Sequence, residues 1–233
     1  MASPEPRFGP LVHRSVHHGS ALWLAGALQF VVAMVIVQLS WTAAHPYSLS
    51  QNYMSDLGNT GCGDWPSGTT HYVCSPWHLV FDVSSVVLGL LVVLGAFLLR
   101  TGFPMRGSSK VGLGLAVIAG LGSIGVGLAP ENVNVAVHVG SAGMIFLGGN
   151  LSLVVLAIAM FRDTRWNGYR AYTLFSGLVG LIALALFQTG QYVDLGVGGM
   201  ERLVAAPLLL WLILASVHLL RFPQFAARTV PSS

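Results

Sequence analysis

The feature that most constrains this chain is an alternation. Apolar stretches of membrane-spanning length recur six times, and nearly all basic residues fall in every second gap between them. A helix that crosses the hydrocarbon core needs roughly 20 mostly apolar residues. Six segments qualify: Ala21 to Leu39, His78 to Leu99, Val111 to Ala129, Val135 to Phe161, Ala171 to Gln188 and Leu203 to Leu220. No Lys, Arg or Glu lies well inside any of them. The first is too long for the apolar region of a signal peptide and lacks a small-residue cleavage pattern, so it reads as a retained helix. Composition excludes the soluble alternatives. Charged residues make up 8% of the chain, against about 25% in a soluble domain. Disorder requires low hydrophobicity, whereas 54% of these residues are hydrophobic. Two cysteines are too few for a disulfide-built scaffold. The expectation is an all-α, polytopic six-transmembrane-helix bundle over residues 21–220, with an N-terminal tail 1–20, a C-terminal tail 221–233 and one long cap loop 41–77.

Charge gives the orientation. Arg7 and Arg14 precede span one; Arg100, Arg106 and Lys110 follow span two. Arg162, Arg165 and Arg170 follow span four, and Arg221 and Arg228 follow span six. Only Arg202 breaks the pattern. The positive-inside rule therefore puts both termini in the cytoplasm and the cap outside. The outer side instead carries Asp56, Asp64, Asp82, Glu131, Asp194 and Glu201. Positive-inside selection explains the missing cations there, but not why several acids sit at helix ends.

Local spacing sharpens this. In span two, His78, Asp82 and Ser85 share one helix face. If the fourth helix starts at Pro130, then Glu131, Asn134, His138 and Ser141 share another. Asp82 would sit about one turn into the membrane, where a carboxylate needs a partner or water. Glu201 and Arg202 are expected to open span six, with Arg202 as a salt-bridge hub among the acids. Gly112, Ala116 and Gly120 form a small-residue stripe suited to close helix packing. Gln29 and Asn150, mid-span amides, need partners and can bond each other or line a cavity. Cys62 and Cys74 share the cap loop, and an oxidising outer compartment favours a disulfide over free thiols or metal ligation.

The segment Asn52-Tyr53-Met54-Ser55-Asp56-Leu57-Gly58, together with His138 and the Glu201-Arg202 pair, resembles the domain-of-unknown-function 998 family of bacterial membrane proteins. That resemblance brings no activity with it. In plan the chain is more distantly similar to the six-helix Frag1/DRAM/Sfk1 proteins, which implies at most a link to lipid organisation. One Lys against ten Arg, with abundant Gly, Ala and Val, suits a GC-rich bacterial source and an inner-membrane location.

Three functional readings stay open. The first is a binder of membrane lipid or another small amphiphile at the outer boundary, with Asp56, Glu131, Glu201 and Arg202 as ligand-binding residues. The second is an intramembrane enzyme with His78, Asp82 and His138 as catalytic residues. It would be either a zinc hydrolase, with His45, His78, Asp82 and His138 as candidate ligands, or a metal-free acid–base isomerase or cyclase. No HExxH or GxSxG motif occurs. The third is an accessory subunit with a membrane-protein partner. No reading involves nucleic acid.

Overall fold

The computed structural model describes residues 10–65, 71–104, 106–161 and 163–221. Arg7, Arg162 and Arg228 of the charge pattern, and the tip of the cap loop, lie outside the described residues. Six helices are long and apolar enough to cross a membrane. They are α1 (Pro10–Leu39), α2 (His78–Leu98), α3 (Gly107–Leu128), the continuous pair α4 (Val135–Gly143) and α5 (Gly149–Met160), α6 (Tyr169–Gln188) and α7 (Gly196–Arg221). A π-helical turn, Met144–Gly148, joins α4 to α5 without breaking the span. The spans pack in chain order, each against the next, and α7 returns against α1, so the bundle closes into a ring.

Small residues make the ring tight. At the α2–α3 crossing Gly89 faces Gly120, and a methyl on Gly89 would collide with the Gly120 carbonyl. Gly112 is pressed against Leu156 of α5, and Ser152 Oγ donates to the Gly112 carbonyl at 2.7 Å. The glycine stripe of span three therefore serves close backbone approach to both neighbours. The mid-span amides do not meet each other. Gln29 and Ser84 exchange hydrogen bonds between α1 and α2. Asn150 donates to the Phe146 and Val204 carbonyls, tying α5 to α7 beside the π turn. At the end away from the cap, Trp23, Phe103, Trp166 and Trp211 form a buried aromatic layer, and Trp23 Nε1 donates to the Val92 carbonyl. The large exposed apolar side chains, such as Phe175, Leu94 and Ile182, face outward where lipid would lie.

Two helix starts differ from the sequence expectation. α1 begins eleven residues before the apolar stretch, because Val16 is buried and Ser15 Oγ bonds the Leu98 carbonyl of α2. α7 begins at Gly196, so Glu201 and Arg202 lie inside it rather than opening it. A Gly-rich run is a poor helix former. Here packing overrides propensity, since a Cβ at Gly196 or Gly198 would strike the backbone of Ser50 or Asn52.

The cap is built locally. Strands β1 (Cys62–Trp65) and β2 (His71–Cys74) pair antiparallel, with Cys62 opposite Cys74. Those cysteines form the expected disulfide. Before the hairpin, Ser55–Gly58 makes a single buried 3-10 turn.

Candidate functional site

The turn from Met54 to Gly58 organises the cap end. Four acids from different parts of the chain converge on it. Asp56 lies within it, fully buried. Its Oδ2 accepts from Asn52 Nδ2, from the Tyr53 amide and from His71 Nε2 at 2.7 Å. Glu131 accepts from Ser55 Oγ at 3.1 Å. Glu201 reaches across from α7 to accept the Met54 amide. Asp82 of α2 packs so closely on Gly58 that a side chain there would meet its Oδ1. Burying carboxylates is costly without such donors. The turn and the residue before it supply them to three of the four, through the Tyr53 amide, the Ser55 hydroxyl and the Met54 amide; Asp82 has His78 instead.

The convergence is selective. His78 Nδ1 and Asp82 Oδ2 are 3.3 Å apart, as their i,i+4 spacing requires. Asp82 Oδ1 is buried without a hydrogen-bond partner. The expected common helix face of Glu131 and His138 does not form. Residues 131–133 make a turn on Pro130, and Asn134 caps α4 by accepting from the Val137 amide. An Asn side chain satisfies the free first-turn amides better than a continued helix through Pro130 would. Glu131 is nevertheless buried, through Ser55 rather than through helical phase.

Arg202 is not a salt-bridge hub. Its Nη1 donates to the carbonyls of Leu49, Asn52 and Gly198 at 2.7–3.0 Å. Its Nη2 donates to the Tyr47 hydroxyl, and the guanidinium lies 5.3 Å from that ring's centroid. Among the described residues the only ion pairs are His71–Asp56 and His78–Asp82. Arg202 therefore clamps the cap to α7. Buried backbone carbonyls need donors, and one planar fork satisfies three.

The zinc candidates do not gather. Among the described residues no three of His, Cys, Asp and Glu are grouped to hold a metal. His45 is exposed and stacks on Tyr72 at 4.0 Å, away from the His78–Asp82 pair. His138 Nδ1 lies 2.9 Å from the Ala129 carbonyl. A carbonyl only accepts, so Nδ1 carries a proton.

Beneath the turn lies a cavity of about 90 Å³ enclosed by α1, α2, α3, α4–α5 and α7. Met54, Ser55, His138 and Glu201 line its cap end. Phe30, Leu88, Val92, Ala116, Leu208, Trp211 and Leu212 line the rest. From Glu201 to Leu212 is eleven residues, so the slot runs roughly 16 Å along α7. Its deeper hydroxyls are already engaged: Ser123 bonds the Ser85 carbonyl and Ser152 the Gly112 carbonyl. Ser85 Oγ, near the cap end, has no partner. Asp56, Asp82, Glu131 and Arg202 do not line the cavity, whereas Glu201 and His138 do.

Burial pushes the Asp56 carboxyl above the usual carboxylate range, against the lowering effect of its bonds from Asn52 and His71. The Tyr47 hydroxyl is raised by burial too, despite Arg202 beside it.

Sequence reasoning missed His71, the donor to Asp56, and Ser55, the donor to Glu131. A usable signal for His71 was the disulfide, which folds that strand back over the turn.

A family model described as "Protein of unknown function (DUF998)" matches residues 24–218. No curated protein and no solved structure matches the chain.

Proposed function

The chain belongs to the DUF998 family, and we propose that its bundle binds an amphiphile carrying a single apolar chain, with the polar end held under the cap. The observation that carries this reading is the slot itself: polar side chains at one end, apolar walls below. About 90 Å³ spread over such a length is one chain wide. That is well short of the 300–1,000 Å³ of a drug-sized pocket, so a two-tailed lipid is disfavoured. Glu201, His138 and the unpartnered Ser85 hydroxyl line the cap end, while Arg202 is occupied by carbonyls and, among the described residues, no Lys or Arg lines the slot. With a carboxyl and no Lys or Arg facing it, the polar end is a hydroxyl or amine rather than an anion. The charge pattern supports an outward-facing cap end, and the composition suits a bacterial inner membrane.

The test is lipid extraction from purified protein followed by mass spectrometry. Wild type should yield a single-chain amphiphile in near-equal molar amount. Ala205→Leu narrows the slot and should lose it. Recovery of nothing from wild type, or equal recovery from both, would overturn the proposal.

One observation favours an enzyme reading of the same slot. The His138 imidazole and the Glu201 carboxyl line one cavity, as an acid–base pair would. Asp82, the acid expected from sequence, is outside it. Deuterium uptake from D2O into the co-purified amphiphile, abolished by His138→Gln, would select this reading.

A further inference from the structure

At the end of the bundle opposite the cap, α2, the turn after it and the start of α3 enclose a second groove of about 430 Å³. We propose that this groove binds an anionic phospholipid, with its phosphate against the turn and one acyl chain along the α2–α3 seam.

Charge is the first argument. Arg100, Arg106 and Lys110 all line the groove. Among the described residues none of the three forms an ion pair. Three cations held together without acids are a site for a multiply bonded anion. Unmet polar groups are the second argument. Ser109 is 3% exposed, and its hydroxyl has no partner; the buried Thr101 hydroxyl has none either. Both residues line the groove. A buried hydroxyl without a partner carries a real free-energy cost, and a phosphate oxygen would remove it. The start of α3 at Gly107 adds its free amides at the same place.

The walls decide between a lipid and a free anion. Phe97, Leu113 and Val117 continue the groove from the cations along the spans. Phe97 is 63% exposed, so the groove opens on the lipid-facing surface. Gly114 lies within it and has nothing near the position of a Cβ, leaving room for a chain. A soluble phosphate would use the cations, hydroxyls and amides and leave the apolar walls empty. A phospholipid uses the cations and the apolar seam together.

The experiment uses full-length protein in detergent, titrated with phosphatidylglycerol, phosphatidylcholine or inorganic phosphate and read by native mass spectrometry. Phosphatidylglycerol should bind more than about tenfold tighter than phosphatidylcholine, and millimolar phosphate should not displace it. Each cation near the surface is worth roughly fivefold. Arg100→Gln with Arg106→Gln and Lys110→Gln should therefore weaken phosphatidylglycerol about a hundredfold and phosphatidylcholine, whose phosphate is offset by its own ammonium, far less. Gly114→Leu keeps every charge, fills the open space and should weaken phosphatidylglycerol about tenfold. Ala205→Leu, in the other cavity, should change nothing here, so the two readings fail separately. Equal affinity for the two lipids would overturn the proposal, as would an unchanged preference in the triple variant or displacement by phosphate. Unchanged binding in Gly114→Leu would overturn the acyl-chain placement and with it the lipid. Circular dichroism checks folding; if the triple variant does not fold, Gly114→Leu and the three single charge variants decide.

Discussion

Replacing Arg202 should open the cap without melting the bundle. Arg202→Met keeps the apolar stem and removes the donors. The loss falls on two cap carbonyls, Leu49 and Asn52, each 3.0 Å from Nη1, and on the Tyr47 hydroxyl. The Gly198 carbonyl lies within α7 itself and matters less to the cap. A hydrogen bond to a charged group contributes about 1.5–3 kcal/mol. Two of them, discounted because Arg202 is only half-buried and water can replace part of the loss, give about 2–4 kcal/mol for holding the cap closed. At 1.4 kcal/mol per tenfold, that raises the open population roughly 30- to 700-fold. Hydrogen–deuterium exchange on the peptide covering residues 47–58 reads it directly. The Met54 amide donates to Glu201 of α7 only while the cap is seated. Arg202→Lys keeps the charge but not the fork and should fall between. Unchanged exchange over 47–58 would refute the clamp. Equal acceleration throughout α2 and α3 would show instead that Arg202 supports the whole fold.

Two further outcomes follow from the same geometry. Gly89→Val drives a side chain into the Gly120 carbonyl, a backbone that cannot rotate away. It should destabilise by at least the roughly 1–3 kcal/mol of ordinary overpacking, seen as lost monodisperse protein in size-exclusion chromatography; a well-folded Gly89→Val would refute the tight crossing. Asp56 is held above the usual carboxylate range chiefly by burial, so the folded cap binds its proton more readily than the unfolded chain does. Stability is then highest below the ordinary value of about 4 and falls as pH rises toward the raised one. Thermal melts across pH should show that decline in wild type and a flatter profile in Asp56→Asn, and a wild-type slope of opposite sign would contradict it.

How much of this was legible beforehand depends on the range of the interaction. Six spans could be read because hydropathy is a transfer property that each residue carries alone. The Cys62–Cys74 bond and the His78–Asp82 pair could be read because both are local: one loop, one helical turn. Where local rules competed, the reading failed. Pro130 and Glu131 look like a helix start, yet Asn134 is the better cap, and Glu131 found its partner in Ser55. Gly196 to Gly199 looks like loop, yet the cap backbone packs so closely that only a side-chain-free helix start fits. Sequence lists side chains, and the decisive acceptors and donors here are backbone groups: the carbonyls that hold Arg202, the amide that meets Glu201, the carbonyl that meets His138 Nδ1. Helical spacing says which residues share a face. Which faces turn inward is set by closure of the ring from α1 round to α7, because glycine contacts fix how near each pair of helices can come. That closure put Glu201 and His138 into one slot and left Asp82 outside it.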